Sequence, residues 1–280
     1  MTVCIAATVL REYVIAISDR KIGLSGISAD HVADKIDQVH PNWVAMVAGG
    51  DITNALPIWD RVREKLECRL WTRTSKPPEK RLSEVVQAFV SSFQEYRKEQ
   101  ISNLLLADHA LTPERLLNEG KKLLGLSLFT ELWNQVSQFK VDCEFLVAGF
   151  DQQKGAHIFG VEDPGVCKNY TSLGFWAIGS GQQQALSSIF FSFRDVGDSP
   201  KFESIVYDLC AAKFMAEPAD GVGEATNVTV HRFGEEPRFY DDEAVKVLRE
   251  LWEKSGRPRT PPESENIVKG LTLHPIRRMS

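Results

Sequence analysis

Apolar residues in the first fifty positions fall into short runs that predict β-strands. Residues 2–9 and 13–18 are two such runs, and only residues 10–12 separate them. Two β-rich runs joined by so short a link predict an antiparallel hairpin. Residues 43–48 form a third run, which a double glycine closes, and they predict another strand.

Apolar spacings of three and four residues then predict two helices. Their apolar faces carry Trp59, Val62, Leu66 and Leu70 in the first, and Leu82, Val85, Val86, Phe89 and Phe93 in the second. Strands followed by helices indicate a mixed domain in which helices cover sheets.

The stretch from about residue 97 to residue 140 predicts further helices. Thr112 precedes Pro113, a combination typical of a helix start because threonine caps the first turn and proline fits its first position. We interpret residues 97–140 as a helical insertion. Two interpretations of it stay open: extra packing for the domain, or a surface that binds a partner or a ring neighbour.

Strand patterns return after this stretch and alternate with helical ones. The predicted strands are 143–150, 156–161, 175–178 and 227–233, and the predicted helices are 182–193, 201–216 and 241–255. We therefore predict one α+β domain over residues 2–240, followed by a C-terminal helix and a flexible tail within residues 241–280.

Composition excludes several classes of protein. The 280 residues include 33 Lys and Arg against 38 Asp and Glu, a net charge of −5, which argues against a nucleic-acid binder. No apolar run is long enough to span a bilayer, so no membrane contact is expected. The five cysteines form no CxxC pair, and the start of the chain lacks a secretory pattern. A cytoplasmic protein is expected.

Familiar catalytic motifs are missing from the sequence. It contains no phosphate-binding glycine loop, no zinc-protease motif and no serine-hydrolase elbow. The six histidines are scattered, and His31 and His40 are expected on exposed turns. We therefore expect no cofactor and no metal.

One hydrolytic strategy needs neither histidine nor metal. If Met1 is removed, Thr2 becomes the first residue and carries a hydroxyl beside a free α-amine. An α-amine has a pKa of about 7.7–8.0, so it can act as a base near neutral pH. A threonine activated by its own amine is an established type of nucleophile.

The residues that follow Thr2 have an ordered spacing. Asp19 ends the second predicted strand, Lys35 lies 16 residues later, and Gly49 lies a further 14 residues on. The strand-and-turn at 147–151, the Gly-Ser-Gly turn at 179–181 and Asp220 ahead of the last strand continue the order. This set resembles the proteasome β-type subunits and their bacterial relatives, the HslV and Anbu peptidases, which are Ntn-hydrolases.

The resemblance covers about residues 2–95 and 141–235. It implies a four-layer αββα Ntn-hydrolase sandwich of two antiparallel sheets, and it implies catalytic roles. Thr2 would be the nucleophile and its amine the base, Lys35 would lie beside the hydroxyl, and Asp19 would orient Lys35. The remaining implied roles are an oxyanion donor at the Gly49 N–H and orienting groups at Ser180 and Asp220.

The resemblance also implies a substrate pocket and two departures from the family. The pocket would be lined by Ile22, Gly23, Ala33, Val47 and Asp51. Asp51 stands where a small neutral residue is common. Gly223 stands where the family carries a serine three residues after the late aspartate.

Three functions follow as hypotheses. The first is a threonine-type peptidase or amidase that assembles into a homo-oligomeric ring or ring-like compartment, acts on peptides or unfolded proteins, and is compatible with an unfolding ATPase partner. The second is a non-catalytic structural or gating subunit of the same fold, which would retain Met1. The third is an Ntn amidase that acts on a small molecule.

Overall fold

The first of two large sheets contains the N-terminal hairpin. The computed structural model describes residues 2–24, 27–30, 34–50, 52–67, 78–194 and 201–256. Five antiparallel strands lie side by side in the order β10, β1, β2, β11 and β12. Their bounds are β1 Cys4–Val9, β2 Tyr13–Asp19, β10 Phe175–Ile178, β11 Thr226–Arg232 and β12 Arg238–Tyr240. The predicted hairpin is therefore confirmed, with Cys4 opposite Ser18 and Val9 opposite Tyr13.

The second sheet also has five antiparallel strands, and they lie in sequence order. They are β5 Ile36–His40, β6 Trp43–Gly49, β7 Cys143–Phe150, β8 Ala156–Glu162 and β9 Val166–Asn169. A separate two-stranded ribbon pairs β3 Ile22–Leu24 with β4 Ile27–Ala29. The predicted mixed α+β class with two antiparallel sheets is confirmed.

The two sheets pack against each other and carry helices on their outer faces. Cys4 and Ala6 of β1 belong to the cluster between the sheets, together with Met46 of β6. In the inner strands of both sheets, the alternate residues face helices instead. The helices are α1 Ala55–Lys65 and α2 Leu82–Ile101 beside the second sheet, and α4 Gln182–Arg194, α5 Phe202–Ala216 and α6 Asp242–Leu251 beside the first. Burial of both faces explains why these strands are continuously apolar in sequence.

The segment at 97–140 is helical, and its helices form a small core of their own. Helix α3, Pro113–Gln138, begins as predicted, since the Thr112 hydroxyl accepts the N–H of Arg115. The helix is interrupted at Gly125, whose φ is +74°. Ile101, Leu106, Leu111, Leu116 and Leu132 are buried against one another there. Whether the segment is an insertion into a smaller domain stays a prediction.

Several short strands were missed by the sequence reading. β9 and β12 lie at sheet edges and are mostly exposed, so they lack the apolar alternation that predicts a strand. The expectation for His40 was wrong. It lies at the end of β5 with 1% of its surface exposed, and its Nδ1 accepts the N–H of Asn42.

Some predictions fall outside the described residues. They are His31, Leu70 and the tail beyond residue 256. Within the parts of the chain that are described, no helix is both long and apolar enough to cross a bilayer.

A buried histidine in β11 predicts a weakness toward acid. His231 is fully buried and packs edge-on against Phe150. Burial, with a smaller contribution from His40, lowers its pKa from 6.5 to about 4. As the pH falls below 6.5, the unfolded chain takes up a proton that the folded chain refuses. Stability is therefore present above pH 6.5 and is lost toward pH 4, by up to about 3 kcal/mol.

This prediction is tested by urea denaturation of the wild type and His231→Gln between pH 7.5 and 4. The variant is expected to lose less stability over this range. His109→Gln, which changes an exposed histidine, is the control and should follow the wild type. Parallel curves for the wild type and His231→Gln would contradict the prediction.

Candidate active site

A fully buried carboxylate at the end of β2 is the centre of the site. Asp19 has 0% of its surface exposed. Its Oδ1 accepts the N–H of Val3 at 2.9 Å, and its Oδ2 accepts the N–H groups of Lys21 at 3.0 Å and Gly223 at 3.1 Å. A buried carboxylate requires such donors, because removing its charge from water is otherwise very unfavourable.

Lys35 supplies the charge that balances this carboxylate. Its Nζ lies 2.9 Å from Asp19 Oδ2 and 3.0 Å from Oδ1, and the residue is 4% exposed. Lys35 lies immediately before β5, and its carbonyl accepts the N–H of Val47 at 3.1 Å. This backbone bond fixes the lysine beside the end of β6.

The Thr2 hydroxyl joins this ion pair. Thr2 Oγ1 donates to Asp19 Oδ1 and accepts from Lys35 Nζ. A threonine hydroxyl has one donor and two lone pairs, so one lone pair stays available for a third group. Three of the six residues that were predicted to be catalytic, Thr2, Asp19 and Lys35, are thus in mutual contact.

The backbone of Thr2 is held by the turn after β10. Its carbonyl accepts the N–H of Gly181 at 3.1 Å and the hydroxyl of Ser180 at 3.3 Å. Gly179 has a φ of +91°, and a Cβ there would overlap the Thr2 carbonyl. Glycine is therefore required, and the turn fixes Thr2 from the side opposite to Asp19.

Ser180 and Asp220 lie next to each other. The hydrogen bonds of Ser180 go to backbone carbonyls, whereas the predicted role was a bond to the Thr2 amine. The Ser180 hydroxyl donates at 2.7 Å to the backbone carbonyl of Asp220. Both residues are exposed. The predicted orientation of a Thr2 amine by their side chains stays a prediction.

The structure explains why position 223 is a glycine instead of the serine that the family carries. A Cβ at this position would lie 2.6 Å from Asp30 Oδ1 and 2.6 Å from the Cβ of Lys21. Asp30 Oδ2 accepts the N–H of Glu224 at 2.8 Å and of Ala225 at 3.4 Å. The space for a side chain at position 223 is thus taken by the Asp30 carboxylate.

Gly49 ends β6 on the side of the site. A Cβ there would overlap the carbonyl of Asp142, which explains the glycine. The following residue, Gly50, donates its N–H to that carbonyl at 3.1 Å. The role of the Gly49 N–H as an oxyanion donor stays a prediction.

The predicted substrate-binding residues are only partly described. Ile22 and Gly23 lie in β3, and Ile22 is half-buried. Val47 is buried in the cluster beneath α1 and α2. Ala33 and Asp51 lie outside the described residues. The pocket therefore stays a prediction.

A neighbouring cysteine does not compete as a nucleophile. Cys4 is fully buried, and its thiol lies 3.4 Å from the carbonyl of Val47. Burial raises the pKa of this thiol far above its usual value. The thiolate, which is the reactive form, is therefore suppressed.

Sequence reasoning missed two residues of this region. Asp30 follows a short strand and has no local motif around it. Lys213 is fully buried in α5, and its Nζ lies 2.7 Å from the carbonyl of Gly223. The sequence did contain a signal for Lys213, which is a lysine among apolar residues of a predicted helix. A lysine buried in this way needs a buried partner.

Comparisons with known proteins give no family. A scan against protein-family models found no match, and a search of curated proteins found no similar sequence. The site geometry is therefore the basis for a functional assignment. Among the residues that the structure describes, no group of three or more His, Cys, Asp and Glu side chains could hold a metal.

Proposed function

We propose that the protein is an N-terminal-threonine hydrolase that cleaves peptide or other amide bonds through an acyl-enzyme. The observation that carries the proposal is the Thr2 hydroxyl, which lies between Lys35 Nζ and the Asp19 carboxylate. A hydroxyl that only stabilises the fold does not require a buried ion pair around it. A nucleophilic hydroxyl does benefit from a nearby cation, because the cation lowers the proton affinity of the oxygen.

Acylation would proceed once the Thr2 amine is free. Oγ1 attacks the carbonyl carbon of the amide while its proton moves to the α-amine. The negative charge on the carbonyl oxygen would be met by the Gly49 N–H. The C–N bond then breaks, and the leaving amine takes the proton from the α-ammonium, which leaves an ester on Thr2.

Deacylation reverses these proton transfers. Water attacks the ester carbonyl and gives its proton to the α-amine. The bond to Oγ1 breaks, the proton returns to Oγ1, and a carboxylic acid is released. The net reaction consumes one amide and one water and yields an acid and an amine.

The arrangement of the layers supports the same proposal. Helices, sheet, sheet and helices follow one another, and Thr2 lies shortly before β1 of the N-terminal hairpin. We assign this arrangement to the αββα Ntn-hydrolase fold of the proteasome-like peptidases. A homo-oligomeric ring and an ATPase partner are further parts of this proposal, and oligomer mass tests the first of them.

The proposed reaction needs a free Thr2 amine and an accessible hydroxyl. Thr2 is 1% exposed in a chain that still carries Met1. The proposal therefore includes removal of Met1, which is bonded to the Thr2 nitrogen. Its removal frees the α-amine that serves as the base.

The proposal predicts a mature chain that begins at Thr2 and forms one adduct with a threonine-directed β-lactone. Intact mass spectrometry reads both the terminus and the adduct, and peptide mapping locates the adduct. A chain with an uncleavable residue before Thr2 is the matched control and should remain unlabelled. A mature chain that starts at Thr2 and takes up no β-lactone would refute the proposal.

The burial of Thr2 also favours a second candidate, a non-catalytic subunit of the same fold. This candidate retains Met1 in the mature protein and uses the Asp19–Lys35 pair only to hold the N-terminus. The same mass measurement separates the two candidates, because they differ by one methionine residue.

A further inference from the structure

A fully buried lysine lies behind the candidate site. Lys213 in α5 has 0% exposure, and all three of its ammonium protons have acceptors. Its Nζ lies 2.6 Å from Glu217 Oε1 and 2.7 Å from each of the carbonyls of Gly223 and Glu224. The lysine thus holds the loop 223–225 by its carbonyl groups.

Helix α6 reaches the same loop through Arg249. The guanidinium makes a two-bond contact with the Glu217 carboxylate, at 2.6 and 2.8 Å, and donates to the carbonyl of Glu224 at 2.7 Å. It also lies over the ring of Phe214 at 4.3 Å. Such two-bond pairs fix geometry as well as charge. Arg249 therefore links α6 to the Lys213–Glu217 pair and to the loop 223–225.

The amide groups of the same loop face two carboxylates. The Gly223 N–H binds Asp19, and the N–H groups of Glu224 and Ala225 bind Asp30. The carbonyl of Gly223 and the N–H of Glu224 belong to one planar peptide unit. The Gly223 N–H, which binds Asp19, belongs to the preceding peptide unit and is joined to the Gly223 carbonyl through the Cα of Gly223. A shift of the loop on the lysine side therefore moves the Glu224 N–H directly and the Gly223 N–H through this Cα.

We propose that Arg249, Glu217 and Lys213 form a positioning relay through which α6 sets the placement of Asp19. These residues touch no reacting atom, so they act through the loop 223–225 and the carboxylate. The catalytic part of this inference rests on the proposed function. It makes α6 a regulatory element of the site, because any event that displaces α6 loosens the support of the Thr2–Lys35–Asp19 contact.

Arg249→Met tests the proposal. Because Arg249 is about four-fifths buried and not completely buried, we expect the protein to fold without its guanidinium. Its side chain is 21% exposed. Arg61→Met is the matched control, since Arg61 pairs with Glu99 and lies over the Tyr96 ring on the other side of the molecule. The probe is a threonine-directed β-lactone, and its labelling is resolved into KI and the limiting rate.

We expect Arg249→Met to lower the limiting rate of labelling about fivefold to tenfold while KI changes less than twofold. Arg249→Lys should recover part of the rate. Hydrogen exchange of the amides at 223–225 should become faster in Arg249→Met. Arg61→Met should leave both the rate and the exchange unchanged, although both Met variants lose an ion pair.

The outcomes separate this inference from the proposed function. If the wild type is labelled and Arg249→Met matches Arg61→Met in rate, the inference is overturned and the proposed function stands. If the wild type is not labelled at all, the proposed function fails. Hydrogen exchange of the amides at 223–225 then tests whether α6 is coupled to Asp19. Faster exchange in Arg249→Met alone then supports the coupling of α6 to Asp19, and equal exchange overturns it.

Discussion

Thr2→Ala is expected to abolish hydrolysis of a fluorogenic peptide by the mature chain, with a loss of at least about 10³-fold in kcat. The change removes the hydroxyl that contacts both Lys35 Nζ and Asp19. Removal of a nucleophile eliminates the covalent route and leaves only the weaker effects of binding and electrostatics. Thr2→Ser retains the hydroxyl and should retain most of the rate.

Thr8→Ala is the control for this experiment. Thr8 lies in β1, which begins two residues after Thr2, and its hydroxyl donates to the carbonyl of Gly174 at 3.3 Å, away from the ion pair. Its replacement should change kcat less than twofold. Hydrolysis by Thr2→Ala at more than a tenth of the wild-type rate would exclude Thr2 as the nucleophile.

The second large effect concerns stability and is independent of catalysis. Lys35→Met leaves the Asp19 carboxylate buried without its cation, and we expect a loss of about 3–5 kcal/mol in the free energy of unfolding. The double variant Asp19→Asn with Lys35→Met removes both charges. It should recover a substantial part of that loss, because no unpaired charge stays in the interior.

Lys65→Met provides the matched comparison. Lys65 pairs with Glu95 at 2.8 Å, a distance similar to that of the buried pair, but its partner is more than half exposed. Surface pairs of this kind contribute about 0–1 kcal/mol. Urea denaturation of the wild type and these three variants measures the difference. Equal losses for Lys35→Met and Lys65→Met would show that the buried pair has no special importance.

Local patterns were sufficient for the strands and helices that bury apolar faces. The hairpin of β1 and β2 was predictable because both strands are apolar and only a three-residue link separates them. β9 and β12 were not predictable from the sequence. They lie at sheet edges and pair with a neighbouring strand on one side only, so they need no apolar alternation. His40 was misjudged because burial depends on neighbours that are distant in sequence, including the carbonyl of Pro78.

The same contrast applies to the candidate site. The contact of Thr2, Asp19 and Lys35 was expected only through the resemblance to the proteasome β-type subunits, which rests on the ordered set of these and later residues. Asp30 was not, because its role depends on the amides of Glu224 and Ala225, which lie nearly 200 positions away. Long-range contacts of this kind leave no periodic signal in the sequence.

The bond between the Gly223 N–H and Asp19 spans 204 positions and has a consequence for synthesis. A ribosome releases Thr2, Asp19 and Lys35 well before Gly181, and Gly181 before Gly223. Until Gly223 emerges, a nascent chain therefore carries the hydroxyl without all the groups that hold it in place. The order of translation itself thus delays completion of the site until residue 223 has been made.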